Sequence, residues 1–161
     1  IERVSECDWW QSVDLGPLTI HFVPAQHFSG RGARDRNRTL WGGLFVSSEA
    51  GSCFFAGDTG YSKDFADIQA RFGAMDLAMI PIGAYAPRDV MQRQHINPAE
   101  AVRIHQDVQA RLSLGIHWGT FILTDEAIQQ PPLDLAVALQ KTGVAAAQFP
   151  HWAIGETRRL P

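Results

Sequence analysis

Apolar and polar positions alternate along Leu18–Val23, which is the period of a strand, and Pro24 ends it. Residues 41–47 form a β-rich run around Gly42-Gly43. Residues 52–56 are a short apolar run stopped by Gly57-Asp58-Thr59-Gly60, which predicts a buried strand feeding a turn. Tyr61, Phe65, Ile68 and Phe72 carry the spacing of an amphipathic helix over 61–72. A second buried strand over 76–82 is interrupted by Pro81. Asn97-Pro98-Ala99-Glu100 is a helix start, with Asn as N-cap, Pro at N1 and Glu at N3, and the helix is expected to reach Arg111. A strand over 112–116 ends at His117-Trp118-Gly119-Thr120. A helix over 133–141 is closed by Gly143, and two short strands, 145–149 and 152–156, finish the chain. The whole is one continuous α/β pattern with no repeat and no linker.

Composition narrows the class. A length of 161 residues is one domain at most. Hydrophobic residues at 45% and charged residues at 19% exclude disordered and fibrous chains. A net charge of -3, from 14 basic and 17 acidic residues, excludes a general nucleic-acid binder. No apolar run approaches the ~18 residues of a membrane span. Cys7 and Cys53 are too few for a disulfide scaffold and form no CxxC pair, which fits a reducing compartment. The chain starts Ile1-Glu2-Arg3-Val4, without Met or a signal pattern, and reads as cut from something longer.

Several strands end in a polar residue beside Gly or Pro, where α/β sheets bind ligands. His27, Asp58 and His117 are such residues, and imidazole and carboxylate are standard ligands of zinc-like divalent ions. A carboxylate has two oxygens, so Asp58 can bridge two metals. Taken singly, each has a structural reading: His27 as a loop histidine, Asp58 as a turn residue accepting backbone N–H bonds. His95 precedes the helix start at Asn97 and is either an N′ residue packing on the first turn or a cleft-facing acid, base or phosphate ligand. His105 lies on the apolar side of its helix and reads as a partly buried structural histidine. The 31–38 loop sets Arg31, Arg34, Arg36 and Arg38 against Asp35. It is a solvated loop or a phosphate-attracting rim beside His27.

Six strings, taken together, carry a resemblance. They are Pro24-Ala25-Gln26-His27-Phe28, Leu40-Trp41-Gly42-Gly43, Phe54-Phe55-Ala56-Gly57-Asp58-Thr59-Gly60-Tyr61, Ile80-Pro81-Ile82-Gly83-Ala84-Tyr85, the run from Gln94 to His105, and Ile116-His117-Trp118-Gly119-Thr120-Phe121. In this order they resemble the N-acyl-phosphatidylethanolamine-hydrolysing phospholipase D family of the metallo-β-lactamase superfamily. The resemblance runs from about His21 to Arg158.

It implies an α/β fold, the four-layer αββα sandwich. His27 then matches a ligand of a first zinc, Asp58 the carboxylate bridging two zinc ions, and His117 a ligand of the second. His95 matches a catalytic histidine of the cleft, with Asp58 also essential to catalysis, and Arg31, Arg34 and Tyr85 are expected to contact substrate. The superfamily's HxHxDH string is missing from these 161 residues, so the chain is expected to be the C-terminal half of the domain, with the N-terminal half as its partner. The implied activity is zinc-dependent phosphodiester hydrolysis of phospholipids. Lactone hydrolysis on the same scaffold, or an inert half-domain used for interaction, are the alternatives. Further expectations are no nucleic-acid partner, a homodimer, and a cytoplasmic or peripheral-membrane location with membrane contact.

Overall fold

The computed structural model describes residues 4–159; the Ile1 start of the chain lies outside them. Six strands form one sheet in sequence order: β1 (Ser12–Leu15), β2 (Leu18–Val23), β3 (Gly43–Ser48), β4 (Gly51–Phe55), β5 (Met75–Pro81) and β6 (Ala110–Ile116). The first four pair antiparallel, and β4, β5 and β6 pair parallel. Parallel neighbours need crossovers. Helix α1 (Asp64–Phe72) supplies one, and α2 (Arg88–Met91) with α3 (Pro98–Asp107) supplies the other. Helix α4 (Gln130–Thr142) packs on α3.

Between β1 and β2 the chain turns through Gly16-Pro17, with Gly16 at φ +61, a conformation that glycine adopts without a Cβ clash. The α3 start is the one the sequence spells: Asn97 Oδ1 accepts from Glu100 N at 2.9 Å and Glu100 Oε2 accepts from Asn97 N at 2.9 Å. Helix α3 stops at Asp107, short of Arg111, because Gln109 turns to φ +51 and Ala110 already belongs to β6. Helix α4 begins at Gln130, ahead of Leu133, with Pro131 and Pro132 in its first turn, where missing N–H groups cost nothing.

The sheet's two faces differ. Phe45, Phe54, Ala78 and Ile80 face the helices and are buried with Phe65, Ile68, Val102 and Ile104. Phe45 stacks on Phe72 of α1 at 4.2 Å, and Phe54 meets Phe65 edge-on at 6.3 Å. Across the opposite face the register aligns two apolar rows: Val13, Ile20, Val46, Cys53, Leu77, Leu112, and Phe22, Leu44, Phe55, Met79, Leu114. No helix of the described residues covers these rows, and Leu44 and Phe55 are 40% and 39% exposed.

Two expected strands are not formed. Residues 145–149 hold a 3-10 turn, Ala146–Gln148, and residues 152–156 hold a turn in which Glu156 N donates to Ala153 O at 2.9 Å. Alternation fails there because a single side chain, Phe149, is driven into the core against His105. The segment still touches the sheet through Gly115 N, which donates to Pro150 O at 3.0 Å. Strand β1 was not expected; its only apolar residues are Val13 and Leu15, and it is an exposed edge.

His105 is buried and its Nδ1 lies 2.8 Å from Ser113 Oγ on β6. Burial lowers its pKa from 6.5. The unfolded chain therefore takes up a proton that the folded chain refuses, so this contribution to stability is present above pH 6.5 and is lost as pH falls through it. Denaturant midpoints measured across that range are expected to fall with acidification, and less steeply in His105→Gln.

Candidate metal centre

Four segments meet at one end of the sheet, each fixed by hydrogen bonds that precede or follow a functional side chain. Beyond β2, Gln26 forms an isolated bridge with Gly60: Gly60 N donates to Gln26 O at 2.8 Å, and Gln26 N donates to Thr59 Oγ1 at 3.0 Å. Thr59 is fully buried, and its hydroxyl donates onward to Gly60 O at 2.8 Å. On the other side of the same residue, Ile96 N donates to Thr59 O at 2.9 Å. Residues 26, 59 and 96 are thus tied together, and their neighbours His27, Asp58 and His95 are delivered to one point.

The chain bends into Asp58 at Gly57, which has φ +67. His117 directly follows β6 with φ +59, an unusual conformation for a residue with a Cβ. Its carbonyl presses on Gly83, where a Cβ would sit 2.2 Å from that oxygen.

His27 Nδ1 lies 3.0 Å from Phe28 O. A carbonyl only accepts, so Nδ1 carries the proton and the Nε2 lone pair is left facing the cluster. The His27 ring stacks flat on Phe28 at 4.6 Å, and the Arg36 guanidinium covers the Phe28 ring at 4.5 Å. His95 is held by its backbone: its N–H donates to Met91 O at 2.8 Å, and its carbonyl accepts from Arg88 Nη1 at 2.8 Å. The second Arg88 nitrogen grips both Glu100 oxygens, at 3.0 and 2.8 Å, so the guanidinium locks His95 to the α3 capping box.

The rings of His27 and His95 are 5.2 Å apart, and those of His95 and His117 are 5.6 Å apart. One donor atom each from His27, Asp58 and His95 lie within 4.8 Å of one another, and His117 Nε2 is 3.2 Å from Asp58 Oδ1. All four residues expected at the site are therefore brought together, with His95 inside the tightest group and His117 joined to it through Asp58.

Hydrogen bonding to His117, reinforced by the charge His117 carries when protonated, lowers the Asp58 pKa, and the same bond raises that of His117. Burial lowers the pKa of His95 and keeps the ring neutral. Two buried ring nitrogens, His27 Nε2 and His95 Nδ1, have no hydrogen-bond partner among the described residues. The His27 Nε2 lone pair beside the ionised Asp58 carboxylate and His117 is the donor set of a divalent cation, and these residues fit one.

Arg31 and Arg34 are exposed on a loop whose Asp35 carboxylate accepts from the backbone N–H of Arg31 and Gly32. Arg36 is the arginine of that loop that reaches the His27 side of the cluster. Tyr85 is buried, and its hydroxyl donates to Asp134 of α4; burial and that carboxylate push its pKa up. Gln26, Thr59, Arg88 and Glu126 were not expected. Glu126 accepts three consecutive backbone N–H groups, from Ala84 at 2.6 Å, Tyr85 at 3.2 Å and Ala86 at 2.9 Å, and so binds the segment after His117 to the segment after β5.

Thr59→Val removes one acceptor and one donor while keeping the shape of the side chain. It leaves the Gln26 N–H and the Gly60 carbonyl without Thr59, at about 1–3 kcal/mol for an unmet buried group. Denaturant unfolding of the variant is expected to show a loss of that size, whereas Thr59→Ser is expected to retain most of the stability.

A family model described as a beta-lactamase superfamily domain matches residues 1–118. The chain is 46% identical over 123 residues to N-acyl-phosphatidylethanolamine-hydrolyzing phospholipase D 1 of Caenorhabditis elegans, a match covering 73% of this chain and 35% of that protein. It is 29% identical over 147 residues to the UPF0173 metal-dependent hydrolase MK1542 of Methanopyrus kandleri, covering 89% of this chain and 58% of that one. Among solved structures, Igni18, a metallo hydrolase from Ignicoccus hospitalis, superposes with a TM-score of 0.65 at 17% identity, covering 91% of this chain and 56% of that chain. The chain spans about a third of the length of the phospholipase D relative it matches. With its mixed six-stranded sheet and His/Asp cluster at one sheet end, the chain belongs to the metallo-β-lactamase superfamily.

Proposed function

We propose that this chain forms the C-terminal half of a zinc-dependent phosphodiesterase acting on N-acyl-phosphatidylethanolamine-like phospholipids. The observation that carries the reading is the convergence of His27, Asp58, His95 and His117 with two ring nitrogens left unpaired. The 46% identity to the nematode phospholipase D supports the substrate class.

In this reading His27, Asp58 and His117 would hold the zinc, with Asp58 as the shared carboxylate. Bound zinc supplies a water acidic enough to act as hydroxide near neutral pH. Asp58 is suited to its place because it is ionised and offers two oxygens, one already aimed at His117. His95, neutral and fixed at its backbone, takes or returns a proton at Nδ1 and orients a phosphoryl oxygen. The arginines of the 31–38 loop attract the phosphodiester anion.

The two apolar rows on the uncovered sheet face are the surface that a second sheet would cover, which supports the half-domain assignment. The N-terminal half supplies that sheet and the remaining metal ligands.

Metal analysis and turnover of N-acyl-phosphatidylethanolamine by the protein, compared with a lactone panel, test the reading. Asp58→Ala is expected to lose most metal and all hydrolysis. His95→Ala is expected to retain zinc while kcat falls ~10²–10⁴-fold. Two zinc ions per chain in Asp58→Ala would sink the bridging role, and parallel loss of metal in His95→Ala would make His95 a ligand.

The 161 residues expressed by themselves are expected to be inactive and to aggregate through the uncovered face. Light scattering and zinc content check this; a monodisperse monomer that binds zinc and turns over a bis-aryl phosphodiester would show the site to be complete within them.

A further inference from the structure

His117 takes φ +59 and Ala84 takes φ +62, two residues with a Cβ in the left-handed region. They are one contact apart, because the His117 carbonyl rests on Gly83, the residue before Ala84. Such backbone persists only where the surroundings over-determine it, and it gathers at functional sites. On the strand side the support is the ladder itself, which ends with Ile82 N donating to Ile116 O at 2.9 Å. Beyond His117 the ladder is over, and the loop is closed by Glu126.

The Glu126 carboxylate accepts from Ala84 N at 2.6 Å and Tyr85 N at 3.2 Å through Oε1, and from Ala86 N at 2.9 Å through Oε2. Asp125 N donates to Ala86 O at 3.2 Å in support. Successive N–H groups converging on one anion, with a left-handed residue among them, form the backbone concavity that binds anions. Here the anion is a side chain carried round by the loop that starts at His117. That loop is tied down nine residues after the histidine, on the same short segment against which the histidine's own carbonyl is set.

Burial works to raise the Glu126 pKa, but bonds from the Thr124 side chain and from the backbone outweigh it and lower the value, so the carboxylate is charged. The charge reaches the cluster. Behind the larger effects of Asp58 and of burial, it favours the protonated forms of His117 and His95. A field that favours an imidazolium also favours a metal cation in its place.

We propose that Glu126 is the positioning residue of His117: its hold on Ala84, Tyr85 and Ala86 fixes the backbone from which the His117 ring is aimed at Asp58, and so sets how tightly metal is held through that ring. The proposal rests on the metal-centre reading above. Glu126 acts through His117 and not as a ligand, because both its oxygens are taken up by backbone N–H groups.

The test is the zinc affinity of the full-length protein, measured by competition with a chromophoric chelator. The zinc dissociation constant is expected to rise ~10–100-fold in Glu126→Ala, the usual cost of losing a group that orients a ligand. A smaller rise is expected in Glu126→Gln, which keeps the acceptor for Ala84 and Tyr85 and loses the one for Ala86. The glutamine variant carries the same comparison where the alanine variant does not fold. Ile68→Val, in the core at α1, is the control for lost stability and is expected to lower the unfolding midpoint with zinc affinity unchanged. In a His117→Ala background, Glu126→Ala is expected to weaken the remaining zinc little further, since its target is gone. A lower midpoint with unchanged zinc affinity in both Glu126 variants overturns the inference and leaves the metal centre standing. So does an equal loss of affinity with and without His117, which would mean that Glu126 acts by another route. Wild type that takes up no zinc removes the metal-centre reading itself, and this inference with it.

Discussion

The Gln26 N–H rests 3.0 Å from the Thr59 hydroxyl, and the Ile96 N–H rests 2.9 Å from the Thr59 carbonyl. Through these two contacts a single buried residue joins the segment after β2, the segment after β4 and the segment before α3. None of these segments is regular structure at the point of contact, so none is rigid by its own ladder of hydrogen bonds. Their mutual pairing makes them one body, and the side chains at 27, 58 and 95 inherit its precision. The Arg88 guanidinium extends the same frame by tying the His95 carbonyl to the capping box of α3.

That frame assembles a group of side chains which disfavour one another without a counter-charge. Three imidazoles crowd one carboxylate; burial first, then the neighbouring His27 and His117, lower the pKa of His95, while Asp58 stabilises the proton on His117. Two ring nitrogens are left with no partner among the described residues, although a buried polar group normally finds one. A fold built only for stability has no reason to spend three loops on such an arrangement. On the reading proposed above, a cation answers the His27 nitrogen and the carboxylate, and His95 Nδ1 meets a phosphoryl oxygen.

How much of this was legible in the sequence follows the range of the interactions. The strand at Leu18–Val23 and the Asn97 cap are local patterns, set by residues within three or four positions, and both stand as read. So do His27, Asp58, His95 and His117 as residues at element ends, because a polar residue beside Gly or Pro after an apolar run is also a local signal. Gln26, Arg88 and Glu126 were invisible for the opposite reason. Each acts on partners fixed by tertiary folding, and Glu126 reaches back 40 to 42 residues to a string of plain backbone N–H groups that leaves no mark in the side-chain sequence. The C-terminal strands failed on the same ground: Phe149 reads as the end of a short strand, yet its burial against His105 is a single tertiary contact that needs no strand.

The division of the sheet into a sealed face and an uncovered one also orders the function. The sealed face, packed by α1, α3 and α4, sets the spacing of the strands whose ends carry the cluster. Asp58 follows β4 and His117 follows β6, one strand apart in the sheet, and they meet at 3.2 Å. The uncovered face runs to the same end of the sheet: Phe55 and Ile116 lie three and one residues before Asp58 and His117, so whatever covers the rows ending there also closes over the cluster. On the half-domain reading proposed above, completing the core and completing the metal centre are one event.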